Sequence, residues 1–131
     1  MTPEDARVSL LLLLLLLPPG AVRPLTAAQV CATRWGTDRR QVTEAMKREV
    51  AKRDGVRWAD RARYEFDHLV PRELGGADTV DNLWPQPLAE ATVKDRLENR
   101  LHRLVCTGQI SLADAQNQMR HYRPPAVAPR R

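Results

Sequence analysis

The apolar positions of this chain change period along its length, and each change predicts an element. The chain opens with an unbroken run, Val8, Ser9 and leucines from Leu10 to Leu17, closed by Pro18, Pro19 and Gly20. From Arg40 to Arg53 the spacing turns helical, with Val42, Ala45, Met46, Glu49 and Val50 in register. Thr37 or Asp38 is available as its N-cap and Gly55 as its stop. Residues 56–62 hold Trp58 and show no clear period. Tyr64 to Val70 then alternates, with Tyr64, Phe66 and His68 on one side, which predicts a strand stopped by Pro71. Glu73 to Asn82 predicts a loop around Gly75 and Gly76, and Leu83-Trp84 a short return strand ended by Pro85. A long helix is predicted over Leu88 to Cys106, with Val93, Leu97, Leu101, Leu104 and Val105 as its apolar stripe and Gly108 as its stop. Ser111, with Asp114 in the third position of a capping box, opens a last helix to about His121. Residues from Pro124 onward are rich in proline and arginine and predict disorder.

Helix, strand, loop, short strand, long helix and helix within 131 residues predict one small α+β domain, mostly helical. The leading apolar run is about ten residues, half of what a membrane-spanning helix needs and within the roughly 7–15 of a signal-peptide core. Residues 1–28 are therefore expected to be a signal peptide, with the small residues Thr26, Ala27 and Ala28 before a cut at Gln29. Residues 29–122 form the expected domain and 123–131 the tail. A secreted or periplasmic protein with no stable membrane association follows. The acidic Glu4 and Asp5 ahead of Arg7 depart from the positive start of an export signal, and a disordered leader on a cytoplasmic protein is the alternative. Cys31 and Cys106 are the two cysteines, and export favours a disulfide between them over two buried thiols. Such a bridge closes a loop of about 75 residues and stabilises by up to roughly 4 kcal/mol in the chain-entropy model. Lys plus Arg total 21 against 16 Asp plus Glu, a net charge of +5 that suits a polyanionic partner without requiring one.

The chemistry concentrates in residues 64–84, YEFDHLVPRELGGADTVDNLW. An acidic residue beside a histidine, then Pro, Gly-Gly and Asn-Leu, resembles the HNH endonucleases of the ββα-metal superfamily. The continuation through NLWPQP to KDRLENRLHRLVCTGQISLADAQ is similar to a small secreted bacterial branch of that group. The resemblance implies a ββα-metal core and a divalent-metal-dependent endonuclease, using Mg2+, Mn2+ or Zn2+ and cutting DNA ahead of RNA, expected as a monomer. Asp67 aligns with the metal carboxylate, His68 with the general base that activates water, and Asn82 with the residue that braces the loop. Carboxylate oxygen suits a hard cation, and imidazole with its ordinary pKa of about 6.5 suits a base at neutral pH. In an unbroken strand Asp67 and His68 face opposite ways, so both reach one site only if the strand breaks there, and Pro71 three residues on is the expected cause of such a break.

The family pattern also puts a metal-binding histidine early in the long helix, where this chain has Thr92. Asp95, at i+3, is the candidate substitute ligand, and water filling the place is the alternative. Lys94, Arg96 and Arg100 are the expected phosphate contacts; read as ordinary helix charges, the same residues pair with Asp95 and Glu98. Gly75 and Gly76 supply backbone freedom, Trp84 core, and His102 and His121 surface. A catalytically degenerate nucleic-acid-binding module of the same fold is the alternative function, and a disulfide-stapled structural protein a third.

Overall fold

The computed structural model describes residues 19–36 and 40–123. The leucine run, the Thr37 and Asp38 caps and the tail from residue 124 lie outside them. The described chain is an α+β domain of four helices and one two-stranded sheet: α1 (Ala27–Ala32), α2 (Glu44–Arg53), β1 (Tyr64–His68), β2 (Leu83–Pro87), α3 (Ala91–Cys106) and α4 (Leu112–Arg120).

Most boundaries follow local chemistry. α2 starts four residues later than its apolar spacing predicts, because the Thr43 side chain accepts a hydrogen bond from the Met46 N–H and fixes the first turn there. The residues around Trp58 wind into a 3-10 helix, Trp58–Arg63. β2 runs past Pro85 to Pro87, with Pro85 opposite Phe66 in the antiparallel register. A sheet of only two strands has two edges, so a proline without an N–H is tolerated. α3 is preceded by a 3-10 turn, Leu88–Glu90, and α4 starts as expected where Ser111 Oγ accepts from the Asp114 N–H at 3.0 Å.

Two apolar clusters hold these elements. Phe66 and Leu83 pack with Val50 and Ala51 of α2, while Val70 and Leu74 pack with Leu101 and Val105 of α3 and Ala115 and Met119 of α4. The buried stripe of α3 starts on a charge: Lys94, Glu98, Leu101 and Val105 are buried, whereas Val93, expected in the core, is 46% exposed.

Residues 20–23 lie along the Gly-Gly loop. Gly20 N–H donates to Asp81 O, Arg23 N–H to Gly75 O, and Ala77 N–H to Ala21 O. Thr26 then caps α1 in a capping box with Gln29, so the expected boundary after residue 28 falls inside a helix. Cys31 and Cys106 form a disulfide that ties α1 to the end of α3, with Cα atoms 5.6 Å apart across a sequence separation of 75. Among the described residues no helix is long and apolar enough to cross a membrane.

Candidate functional site

β1 stays paired through His68, which lies opposite Leu83, so the strand does not break at the Asp67-His68 pair. Strand alternation therefore holds: the two side chains leave on opposite faces and enter different networks.

On one face, His68 is 5% exposed and its Nε2 lies 2.7 Å from Asp78 Oδ1. Burial lowers the imidazole pKa more than the Asp78 hydrogen bond raises it. The ring is neutral at pH 7, with Nε2–H donating to the carboxylate. Asp78 also accepts from the Gln41 backbone N–H at 2.8 Å and lies 3.2 Å from Arg72 Nε. These partners outweigh its desolvation and hold its pKa below the usual aspartate value.

The loop that returns Asp78 to His68 is braced by Asn82, which is fully buried. Its Oδ1 accepts from the Val70 N–H at 3.0 Å, and its Nδ2 donates to Val70 O at 3.0 Å and Ala77 O at 2.9 Å. The side-chain amide thus continues the β1–β2 ladder one step past its last backbone pair. Gly76 makes this possible, since a Cβ there would sit 1.7 Å from Val70 O. Gly75, at φ 84°, caps the preceding turn in the left-handed region.

On the other face, Asp67 meets α3. Lys94 is 1% exposed, and its Nζ donates to Asp67 Oδ2 at 2.9 Å, to the His68 carbonyl at 2.7 Å and to Glu98 Oε1. All three ammonium hydrogens are engaged. Burial opposes the charge, but Asp67 and Glu98 outweigh it and hold the Lys94 pKa above its ordinary value. One cation serves two carboxylates, and Glu98 carries the imbalance: burial pushes its pKa up to about 7 against the pull of Lys94. Glu65 and Asp95 are also raised, first by burial and then by the Asp67 charge.

The expected site residues thus converge only in part: Asp67 and His68 leave on opposite faces, while Asp95 lies within the field of Asp67. Lys94, expected on phosphate, is buried in an ion-paired centre. Arg96 and Arg100 are exposed on α3, as are Thr92 and Asp95. As a cradle for a divalent cation the donor set does not fit, because the Asp67 oxygen facing α3 holds an ammonium and His68 Nε2 faces Asp78 instead. Around the same face, Gln86 is fully buried and both its amide atoms lack a partner among the described residues, as does Glu90 Oε2. Such atoms are where ordered water would bind.

One participant, Asp78, was not singled out in the sequence, and the burial of Lys94 with Glu98 was not foreseen. Asp78 is ten residues past His68, the span of one loop, and only the loop's closure reveals the pairing. Lys94 and Glu98 stand at i,i+4, a spacing that predicts a pair but not its burial. His102 and Cys106 share that spacing, and His102 Nε2 lies 3.7 Å from Cys106 Sγ. With Cys31 they bring three possible ligand atoms within 4.8 Å of one another, but both sulfurs are spent in the disulfide.

Compared with known proteins, the chain matches no family model, no curated protein and no solved structure.

Proposed function

We propose that the chain is a metal-independent nucleic-acid-binding module, built on a core like that of the HNH nucleases but without their catalytic centre. One observation carries this reading. Lys94 delivers a fixed, fully hydrogen-bonded positive charge to Asp67, the carboxylate that the resemblance assigns to the metal. A buried ammonium with three acceptors does for this carboxylate what a cation would do electrostatically, and it offers no open coordination position for water. The net charge of +5 supports an anionic partner, and the disulfide suits an oxidising, secreted or periplasmic setting.

The nuclease reading retains one support. Asp78 holds the His68 ring as a carboxylate holds a general base. With Nε2 on Asp78 the basic lone pair is on Nδ1, and a base must still reach its water, whereas this ring is only 5% exposed. Supercoiled plasmid incubated with the protein and magnesium, manganese or zinc discriminates the two. The module reading expects no nicking beyond the no-protein control and salt-dependent retention of the plasmid. Nicking that chelator removes, and that His68→Ala abolishes, would overturn it in favour of the endonuclease.

A further inference from the structure

Away from the Lys94 centre, a groove of about 340 Å³ opens between α2, the Trp58–Arg63 turn and the edge of β1. Arg40, Lys47 and Arg61 line it together with Trp58 and Tyr64, and Glu44 and Glu65 are its carboxylates. Two guanidinium groups are stacked on the indole of Trp58: the Arg48 Cζ lies 4.3 Å from the ring centroid and the Arg61 Cζ 4.9 Å. Arg61 is held twice, since its Nη1 also donates to the Trp58 carbonyl at 2.9 Å. Trp58 itself is anchored below by Phe66, with centroids 6.1 Å apart. Arg40 donates to the Phe66 carbonyl at 2.6 Å and is otherwise exposed.

A guanidinium held over an aromatic face keeps N–H donors to spare, and its edges match the two oxygens of a phosphodiester. Stacking also removes most of the rotamer freedom that an arginine loses on binding, which lowers the cost of the contact. Arg48 and Arg61 are both exposed, and neither has a carboxylate partner among the described residues. In the groove itself three cations, Arg40, Lys47 and Arg61, stand against two carboxylates, and Arg48 lies beside it on the same indole.

The α3 face carries the opposite balance around its exposed arginines. Asp67, Asp95 and Glu98 share the single Lys94 charge, and Glu73 lies within their field. A polyanion meets less repulsion at Trp58 than beside Arg96 and Arg100.

We infer that the Arg48–Trp58–Arg61 stack, with Arg40 and Lys47, is the surface that takes the phosphodiester backbone of a nucleic acid. This rests on the proposed binding function and locates it on the α2 side of the sheet. The stacked arginines are the anchoring pair, and contact with the backbone alone makes the binding tolerant of sequence.

The test uses the full chain and fluorescein-labelled DNA and RNA strands of one sequence, with anisotropy measured across a salt series. The proteins are wild type, Arg48→Gln/Arg61→Gln, Arg48→Lys/Arg61→Lys and Arg96→Gln/Arg100→Gln. Removing the stacked pair should weaken binding by about tenfold or more at low salt and reduce the slope of log affinity against log salt by about two. The lysine pair should recover the slope but only part of the affinity, because charge returns without the planar stack. The α3 pair should stay within about twofold of wild type. DNA and RNA should behave alike at the groove; a preference for RNA that survives loss of the stacked pair would put recognition elsewhere and overturn the assignment. Binding by wild type that the Arg48/Arg61 variants leave unchanged, or that the Arg96/Arg100 variant removes, also overturns the groove while leaving a binding module standing. No binding by wild type to either strand removes the functional reading together with the groove. Thermal melting of each variant separates lost contacts from lost fold.

Discussion

Two cationic centres sit on opposite sides of the small sheet and use their charge in different ways. At Lys94 the ammonium is sealed between Asp67 and Glu98, and its charge is consumed inside the protein. At Trp58 the guanidinium groups of Arg48 and Arg61 rest on an indole and remain in solvent. Ammonium is a compact point charge that three oxygens saturate, whereas guanidinium stacks on an aromatic face and keeps donors to spare. The comparison teaches that the count of basic residues on an element says little about what meets a ligand. The most chemically suggestive lysine in the chain is a structural one.

The largest expected effect lies at the sealed centre. Lys94→Met should leave two buried carboxylates without their cation and cost about 3–5 kcal/mol, measured by urea denaturation. Arg48→Gln and Arg61→Gln should each cost less than about 1 kcal/mol by the same measurement, since exposed contacts contribute little to stability. Restoring neutrality with Asp67→Asn and Glu98→Gln in the Lys94→Met background should recover part of the loss. Equal costs at the two centres would erase the distinction between them.

The disulfide comes next. Reduction should remove up to about 4 kcal/mol of stability, and thiol labelling of the unreduced, denatured protein should find no free cysteine. Two labelled thiols would contradict the bridge. Asn82→Ala should cost about 2–4 kcal/mol, because it leaves the Val70 N–H and the Val70 and Ala77 carbonyls without this partner in a buried loop. Asn82→Asp should recover only the bond from the Val70 N–H, since it lacks the donor.

A smaller effect is expected from pH. Glu98 in the folded protein titrates near 7, above the value of an unfolded glutamate near 4.5. Between those values the native state holds more protons than the unfolded state, so this group's contribution to stability falls as pH rises, by at most about 1.4 kcal/mol per pH unit. His68 acts in the other direction at its own range: its lowered pKa means stability is lost as pH falls below about 6.5, where the unfolded ring takes up a proton first. Glu98→Gln should flatten the first slope in denaturation curves collected from pH 4 to 8 and leave the second. If the slope is unchanged in that variant, the extra proton is not on Glu98.

The sequence carried most of the fold for reasons that are local. Strand alternation at Tyr64–His68, the Ser111 cap and the amphipathic run of α3 each depend on near neighbours and are present, although β1 ends two residues short of Val70 and α3 starts at Ala91 with Val93 outside the core. The start of α2 moved because Thr43 caps more directly than the residues ahead of it. Residues 20–26 were legible only as leader, because what orders them is the backbone of a loop about 55 residues away. The site divided in the same way. Asn82 as a brace and the Cys31–Cys106 bridge were legible, the first from the family resemblance and the second from cysteine count and the expected export. Alternation already warned that Asp67 and His68 would part. Their partners, Lys94 and Asp78, depend on how a helix and a loop pack onto the two faces of the sheet, which no spacing along the chain encodes.

The smallest expected effect is the most informative about the missing ligand. Thr92→His should leave metal affinity unchanged, because position 92 is exposed and Lys94 occupies the carboxylate it would have to share. A gain would mean that position 92 reaches Asp67 and that Lys94 does not keep a metal out.

The central claim is that the protein's own lysine stands in for a metal at Asp67. Calorimetric titration of manganese into the full chain at neutral pH tests it directly. The account predicts no saturable heat for wild type and no difference between wild type and Asp67→Ala. A stoichiometric manganese site in wild type that Asp67→Ala abolishes would contradict it.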